Sequence, residues 1–477
     1  MTGRLYDYIN TLKTKRVAVV GAGVSNMPLI GLLLDAGIEI TICDRRTRGE
    51  IGETVLNFEK SGVKLRLGDG YLDDLTEDVI FRTPGLMPAN PGLKKAVANG
   101  AVLTSEMEVF FDICPCTTIG VTGSDGKTTT TTIIGELLKR GGKTTHVGGN
   151  IGTPLLSKVN SMSPDDIAVI ELSSFQLITM EKSPNIAVVT NISPNHLDIH
   201  TDMNEYITAK ENIFSYQTVD DRVVFNYDND ITRGFAITAH AEDVLFFSRS
   251  EEVENGIYQQ NDIIYENIKG KKTAIIRAEE ILLPGIHNVE NYMAAFAAVA
   301  GLVDHDILRE VAKSFRGVEH RIELVREQRG VRYYNDSIAS SPSRAIAGIR
   351  ALSANCDKKE TGKRKIILIA GGKDKGIAFD DFGAEIVAKV KELVLTGAAA
   401  PLIKKAVENS EGFDKTCSFG IRQIHYFPGF EDAVLMASKL AGEGDIVLLS
   451  PACTSFDMFN NFEERGNKFK EIINGLV

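Results

Sequence analysis

Short β-branched runs alternate with longer amphipathic stretches along most of this chain, and glycines stand where one gives way to the other. Val17-Ala18-Val19-Val20 reads as a buried strand, Gly21-Ala22-Gly23 as the turn after it, and a helix then carries Leu29, Leu32 and Leu33. Ile38 to Cys43 forms the next strand and closes on Asp44, while Val79-Ile80-Phe81 closes on Thr83-Pro84-Gly85. The same grammar returns at Thr117–Val121, whose following helix places Ile133, Ile134, Leu137 and Leu138 on one face and stops at Gly141-Gly142. Ile167–Ile170 ends in Glu171, and Ile186–Val189 runs into Thr190-Asn191. A helix follows from Met203 to Tyr216, then a polar, partly β-like stretch from Val223 to Lys272, then an alanine-rich helix opened by Leu283–Asn291 and reaching Val303. Four more strands are predicted at Val331–Tyr334, Lys365–Ala370, Glu392–Thr396 and Asp445–Leu449, with helices between them. Such alternation predicts α/β architecture in three domains, 1–115, 116–317 and 318–477, with ligand crevices at the carboxyl ends of parallel strands.

The sharpest chemistry lies after Thr117–Val121. Gly123-Ser124-Asp125-Gly126-Lys127-Thr128-Thr129 joins a strand to a helix N-terminus, which is the construction of a phosphate cradle. Lys127 would reach the β- and γ-phosphates, and the Thr128 hydroxyl would hold Mg²⁺. The first glycine of the longer loop pattern falls on Val121, so the match is to its shorter half. Glu171, at the end of a neighbouring strand, stands where such folds hold Mg²⁺.

Other polar positions are more ambiguous. Gly21-x-Gly23 followed by Asp44 resembles a dinucleotide fingerprint, but Asn26 stands at the third glycine position. That favours a different nucleotide-like ligand over a redox dinucleotide, and Arg45 and Arg46 beside Asp44 would suit an anion or simply form a solvated pair. His196-x-Asp198-x-His200 invites a zinc reading, yet no further cysteine or histidine follows at ligand spacing. His196 fits better as a neighbour or minor ligand of an oxygen-rich Mg²⁺ site. Lys210 shares a helix flank with Ile213 and Phe214, for which snorkelling is the default. Asn288 and Asn291, one turn apart, could face a purine edge, although helix capping explains one of them as well. In the last domain Asn335-Asp336-Ser337, Gly371–Lys375 and Ser450–Ser455 all follow apolar strands and point to a further crevice. One nucleotide site flanked by two crevices suggests ATP used to join two other molecules.

Composition narrows the field. A formal charge of −11 argues against a general nucleic-acid binder, though not against small anions held in local basic pockets. Six cysteines are scattered, with only Cys114-x-Cys116 close together, as expected of reduced cytosolic thiols. The first fifteen residues have no apolar signal core and no apolar run reaches eighteen residues, so a cytoplasmic protein without a membrane role is expected.

Taken together the motifs resemble those of the Mur ligase family. The resemblance covers essentially the whole chain and rests on Thr122–Thr128, Gly149-Asn150-Ile151-Gly152, Glu171–Leu177, Leu283-Pro284-Gly285-x-His287-Asn288, His320-Arg321, Asn335-Asp336-Ser337 and the tail run Leu449–Cys453 through Phe462–Asn467. It implies a Rossmann-like nucleotide-sugar domain, a central P-loop ATPase-like domain and a Rossmann-like domain for the incoming amino acid. The tail run implies the branch that adds D-glutamate to UDP-N-acetylmuramoyl-L-alanine (UDP-MurNAc-L-Ala) in peptidoglycan synthesis. The activity implied is an ATP-dependent ligation through an acyl phosphate, by a monomer in which the third domain closes over the second.

The same resemblance implies roles residue by residue. Gly123, Ser124, Asp125, Gly126, Lys127, Thr128 and Thr129 would cradle ATP, with Asn288 and Asn291 at adenine, Arg321 at the γ-phosphate and Asp336 at ribose. Thr128, Glu171, His196 and Lys210 would hold two Mg²⁺ ions, Lys210 as a carbamate, which reverses the snorkelling default. Lys127, Glu171, His196 and Lys210 would be the catalytic set. Ser25, Asp44, Arg45, Thr83, Gly85 and Asn150 would bind the UDP-sugar, and Lys375, Ser455 and Phe462 the D-glutamate. Two positions depart from the family pattern: Asp125 replaces an asparagine beside the triphosphate, and Ile338 replaces a lysine after Asn335-Asp336-Ser337. The rival readings are a nicotinamide oxidoreductase built on Gly21-x-Gly23 and a non-catalytic nucleotide switch.

Overall fold

The computed structural model describes residues 3–23, 25–152, 154–197, 199–354, 364–374, 376–413 and 423–476. Three sheets organise them. The first is all parallel and runs, edge to edge, Lys64–Leu67, Ile40–Asp44, Val17–Val20, Val79–Arg82, Val102–Thr104. Its central strand, Val17–Val20, is buried at every position, as a β-branched run covered on both faces should be.

The second sheet has nine strands, with Thr117–Thr122 between Ile186–Val189 and Ile167–Glu171 near one end. Thr145–Gly149 forms that edge, and the other side continues through Arg222–Asn226, Asp243–Ser248, Gly256–Gln260, Ile263–Ile268 and Lys271–Arg277. The last three pair antiparallel, so the stretch read from sequence as only partly β-like is a regular hairpin extension. Its exposed faces carry polar side chains, which masks the apolar half of the alternation.

The third sheet runs Glu323–Gln328, Val331–Asn335, Ile446–Leu449, Ile366–Gly371, Val390–Thr396, Ile424–Tyr426. It is parallel except at Glu323–Gln328, an antiparallel edge strand that the sequence pattern did not announce. The chain forms two compact units, residues 1–280 with 290–311, and 281–289 with 312–477. In the first unit one apolar core extends from Leu5, Ile9 and Leu12 of helix Arg4–Leu12 through both sheets to Phe225 and Phe235. Among the described residues no helix is long and apolar enough to cross a membrane.

Candidate active site

Strand Thr117–Thr122 delivers the chain to Gly123, where φ is 147° and an added Cβ would overlap the Thr190 hydroxyl. Only glycine lets the loop lie this close to the end of strand Ile186–Val189. The loop is then tied down from that side. Ser124 N–H donates to Asn191 O at 2.9 Å, Asp125 N–H to Asn191 Oδ1 at 3.0 Å, and Thr190 Oγ1 to Asp125 O at 2.6 Å. Ser124 Oγ lies 2.9 Å from the Tyr206 hydroxyl and 2.8 Å from Ser193 O. Asp125 is exposed, and its charge still acts on Lys210 and Tyr206. Gly126 precedes helix Lys127–Arg140, where Thr128 is half-buried and Thr129 buried.

Two lysines converge on one carbonyl. Lys127 Nζ donates to Gly123 O at 2.8 Å and Ser124 O at 3.0 Å, while Lys210 Nζ donates to the same Gly123 O at 2.9 Å and to Thr122 Oγ1 at 3.2 Å. Asp202 caps helix Met203–Ser215 by accepting from Glu205 N–H, and this sets the face that buries Tyr206, Ala209, Lys210, Ile213 and Phe214. Lys210 is 2% exposed, so it does not snorkel as spacing alone suggests. Burial, together with the neighbouring positive charge of Lys127, holds its amine well below the usual ammonium range.

Glu171 closes strand Ile167–Glu171 and is also 2% exposed. Its Oε1 accepts from Asn150 Nδ2 at 2.7 Å, and Oε2 has no hydrogen-bond partner among the described residues. An unmatched buried carboxylate oxygen beside a phosphate cradle suits a hard cation. Among the described residues no three His, Cys, Asp or Glu side chains are grouped for metal binding. The turn after Glu171 is a capping box: Ser173 and Gln176 exchange side-chain and backbone hydrogen bonds and start helix Ser174–Leu177. Phe175 on that helix lies between His196, 5.2 Å away edge-on, and His200, stacked at 5.1 Å. His200 is held by Ser174 Oγ at 2.9 Å and Glu205 at 3.2 Å, a structural environment; Asp198 lies outside the described residues.

At the carboxyl end of the first sheet, Asp44 is already engaged. Arg46 reaches it through Nε at 2.9 Å and Nη2 at 2.8 Å, and Ala22 N–H donates at 2.9 Å. Burial alone would raise this carboxyl, but the Arg46 and Ala22 hydrogen bonds outweigh it and bring the pKa to about 2. The arginine pair is therefore split: Arg46 folds onto Asp44 and Arg45 stays exposed. Asn26, the residue that breaks the fingerprint, is buried and donates to Val20 O and Gly21 O. Gly21 itself is required by the Thr83 side chain, which an added Cβ would meet at 2.8 Å. Ser25 is half-buried and Gly85 exposed along the same rim.

Sequence reasoning gave Arg82 no role. This guanidinium is 1% exposed and donates through Nη2 to Phe175 O at 2.9 Å and Thr179 Oγ1 at 2.6 Å, pinning the first sheet to the turn after Glu171. Its only sequence signal was a basic residue closing a strand of apolar positions.

Residues 286–298 form one helix that carries both asparagines. Asn291 leans on the phosphate loop, its Oδ1 3.3 Å from Thr130 Oγ1 and close against Gly126, while Asn288 Nδ2 donates to Pro284 O at 2.6 Å. In the second unit Asp336 is buried; it accepts from Ser450 Oγ at 2.8 Å and Ile322 N–H at 3.3 Å. Burial lifts its pKa to about 7, against the lowering effect of Ser450 and the charges of Arg321 and Arg344. Arg465, also buried, joins two turns by donating to Ser337 Oγ and O and to Cys453 O. Ser455 is buried after strand Ile446–Leu449, and Phe462, first in helix Phe462–Asn474, meets His320 edge-on at 6.0 Å. Ile338 is half-buried and donates its N–H to His320 O; Lys375 lies outside the described residues.

Comparison with known proteins supplies the deciding observation. Residues 121–299 match the model of the Mur ligase middle domain, and residues 320–453 that of the Mur ligase glutamate ligase domain. The chain is 50% identical to UDP-N-acetylmuramoylalanine--D-glutamate ligase of Acetivibrio thermocellus, with both chains covered completely. The chain belongs to the Mur ligase family. The protein of the same name from Clostridium novyi is 49% identical over 98% of this chain and 99% of its own. Among solved Mur ligase structures, the UDP-N-acetylmuramate-alanine ligase of Thermotoga maritima shares the fold, with a TM-score of 0.56 at 19% identity over 96% of this chain and 99% of that one.

Proposed function

We propose that this Mur ligase is the ATP-dependent enzyme that joins D-glutamate to UDP-N-acetylmuramoyl-L-alanine, acting as a cytoplasmic monomer. The observation that carries the reading is the convergence of Lys127 and Lys210 on the Gly123 carbonyl, in the same phosphate loop, with the Glu171 carboxylate, only half satisfied, at the end of the adjacent strand. In this reading Lys127 leaves the loop carbonyls for the β- and γ-phosphates and stabilises the charge spread over the transferring phosphoryl oxygens. The alanine carboxylate attacks the γ-phosphorus, ADP leaves, and the resulting acyl phosphate is opened by the D-glutamate amine with release of phosphate. Mg²⁺, when bound, would neutralise phosphate charge, held by Thr128, Glu171, His196 and Lys210.

Lys210 is suited to that part because burial and the nearby charge of Lys127 lower its pKa and so favour the neutral amine. A neutral amine adds to CO₂ and loses one proton, so the group beside Lys127 becomes an anion that attracts it. In our reading residues 1–115 bind the UDP-sugar, 116–317 ATP and 318–477 the amino acid. Ser25, Arg45, Thr83, Gly85 and Asn150 would touch the UDP-sugar, and Asp44 would act through the Gly21-Ala22 turn and Arg46. Asn288 and Asn291 would meet adenine, Arg321 the γ-phosphate, Asp336 the ribose, and Lys375, Ser455 and Phe462 the D-glutamate. Phosphate release from ATP, Mg²⁺ and UDP-MurNAc-L-Ala across a panel of D- and L-amino acids tests the assignment. Release with D-glutamate alone is the expected result; equal release without any amino acid, or with an L-amino acid, would refute it.

A further inference from the structure

Helix Glu106–Ile113 hands the chain to strand Thr117–Thr122 through three residues, Cys114-Pro115-Cys116. Proline restricts the residue before it to extended backbone, and Cys114 obeys with φ −59° and ψ 125°. Side chains two apart along an extended segment lie on one side of it, so the joint sets its two thiols facing each other. Both are free thiols, with their Sγ atoms 3.5 Å apart. The pair is unequal. Cys116 is 7% exposed and belongs to the apolar core of the first unit, whereas Cys114 is half-buried. Of the described cysteines, Cys114 alone is not buried. Arg4 Nη1 donates to Cys114 O at 3.2 Å, which keeps a guanidinium beside the outer thiol. The hydrogen bond from the Cys116 thiol favours the Cys114 thiolate, and the Arg4 charge adds to it against the opposing effect of burial. Cys114 therefore lies below the usual thiol range, while the same bond and burial hold Cys116 above it.

An accessible nucleophilic sulfur backed by a buried second one is the arrangement of a dithiol that cycles through a disulfide. We propose that Cys114 and Cys116 form a reversible redox site, oxidised by low-molecular-weight disulfides. The Cys114 thiolate attacks one sulfur of such a disulfide, RSSR, forming a Cys114–S–S–R bond and expelling RS⁻. Cys116 then loses its proton and attacks the Cys114 sulfur, expelling the second RS⁻. In sum, two protein thiols and RSSR give one protein disulfide and two RSH, and the two electrons lost by the cysteines reduce RSSR. To reach a bond of about 2 Å from 3.5 Å, the sulfurs approach by about 1.5 Å. The joint has room for that movement, since Pro115 has no N–H to lose and sheet pairing begins only at Thr117. A ring this small gains little from loop closure, so excess RSH reopens it. The pair then follows the redox state of its surroundings and does not hold the fold together, in keeping with thiols that rest reduced.

The test incubates the intact reduced chain with glutathione disulfide, blocks the remaining thiols with iodoacetamide and maps the tryptic peptides by mass. The peptide from Ala96 to Lys127 contains Cys114 and Cys116 and no other cysteine. The expected result is that this peptide loses two hydrogens, takes up no iodoacetamide, and regains both thiols when excess reduced glutathione is added. Cys116→Ser should stop the sequence one step short, with one glutathione held at Cys114. Cys114→Ser should slow glutathione capture by the same peptide at least about tenfold, because the thiol that remains is buried and protonated. The wild-type peptide alone decides should either variant fail to fold. A wild-type peptide that still takes up iodoacetamide at both cysteines would overturn the inference. So would glutathione that stays on Cys114 without the loss of two hydrogens, or capture that persists unslowed in Cys114→Ser.

Discussion

Lys127 and Lys210 share the Gly123 carbonyl but differ in burial, and the proposed mechanism gives them different parts. Lys127 is half-buried and is the only side-chain cation in the loop, so Lys127→Ala should lower the rate by roughly two to four orders of magnitude at saturating ATP and Mg²⁺. A variant that keeps more than a tenth of the wild-type rate would remove it from the chemistry. Lys210 should instead show the behaviour of a carboxylate in disguise. Lys210→Ala should be nearly inactive, partly restored by acetate or formate, and the wild type should slow when bicarbonate is depleted; an active Lys210→Ala enzyme would make it a packing residue. The phosphate-loop lysine was legible because loop, strand and helix are contiguous in sequence. Lys210 was not, because its burial depends on what packs against a helix more than eighty residues away, and spacing alone pointed to snorkelling.

At the level of elements, site residues gather where strands end, and those ends were legible as β-branched runs closing on glycine or an acid. What the turns do with their side chains was less so. The backbone N–H and carbonyl of Asp125 are both taken by Thr190 and Asn191, a fact no local pattern contains. Arg82 and Arg465 are buried pins between segments far apart in sequence, a role that local pattern does not contain. The close approach at Gly123 gives a sharp prediction at this scale. Gly123→Ala combines a φ of 147° with overlap on Thr190, so it should cost on the order of 1–3 kcal/mol and weaken ATP binding at least tenfold. Denaturant midpoints and nucleotide titration check both; unchanged values would mean that the loop relaxes freely.

For the molecule as a whole, the alternating α/β plan was legible from the pattern of apolar runs, whereas the hairpin extension and the antiparallel edge strand depended on pairings that polar-faced strands do not advertise. Each compact unit also holds a carboxyl whose pKa burial raises to about 7, Glu106 in the first and Asp336 in the second. Raised folded-state values mean that the native chain binds protons more tightly than the unfolded one. Their contribution is full below the unfolded carboxylate range and is lost as pH rises through about 7. Each group should remove up to about 1.4 kcal/mol per pH unit across that window. Denaturation at pH 5.5 and 8 should therefore show a steeper loss for the wild type than for the Glu106→Gln, Asp336→Asn double variant; parallel losses would contradict the burial argument.

The central claim, that the alanine carboxylate is activated by phosphorylation before D-glutamate attacks, has a direct isotopic signature. With both oxygens of that carboxylate labelled with ¹⁸O, the amide should retain one label and the other should appear in the released phosphate, in a reaction that requires D-glutamate. Phosphate released without ¹⁸O would contradict the account, because it would mean that the γ-phosphoryl group never bonded to the carboxylate.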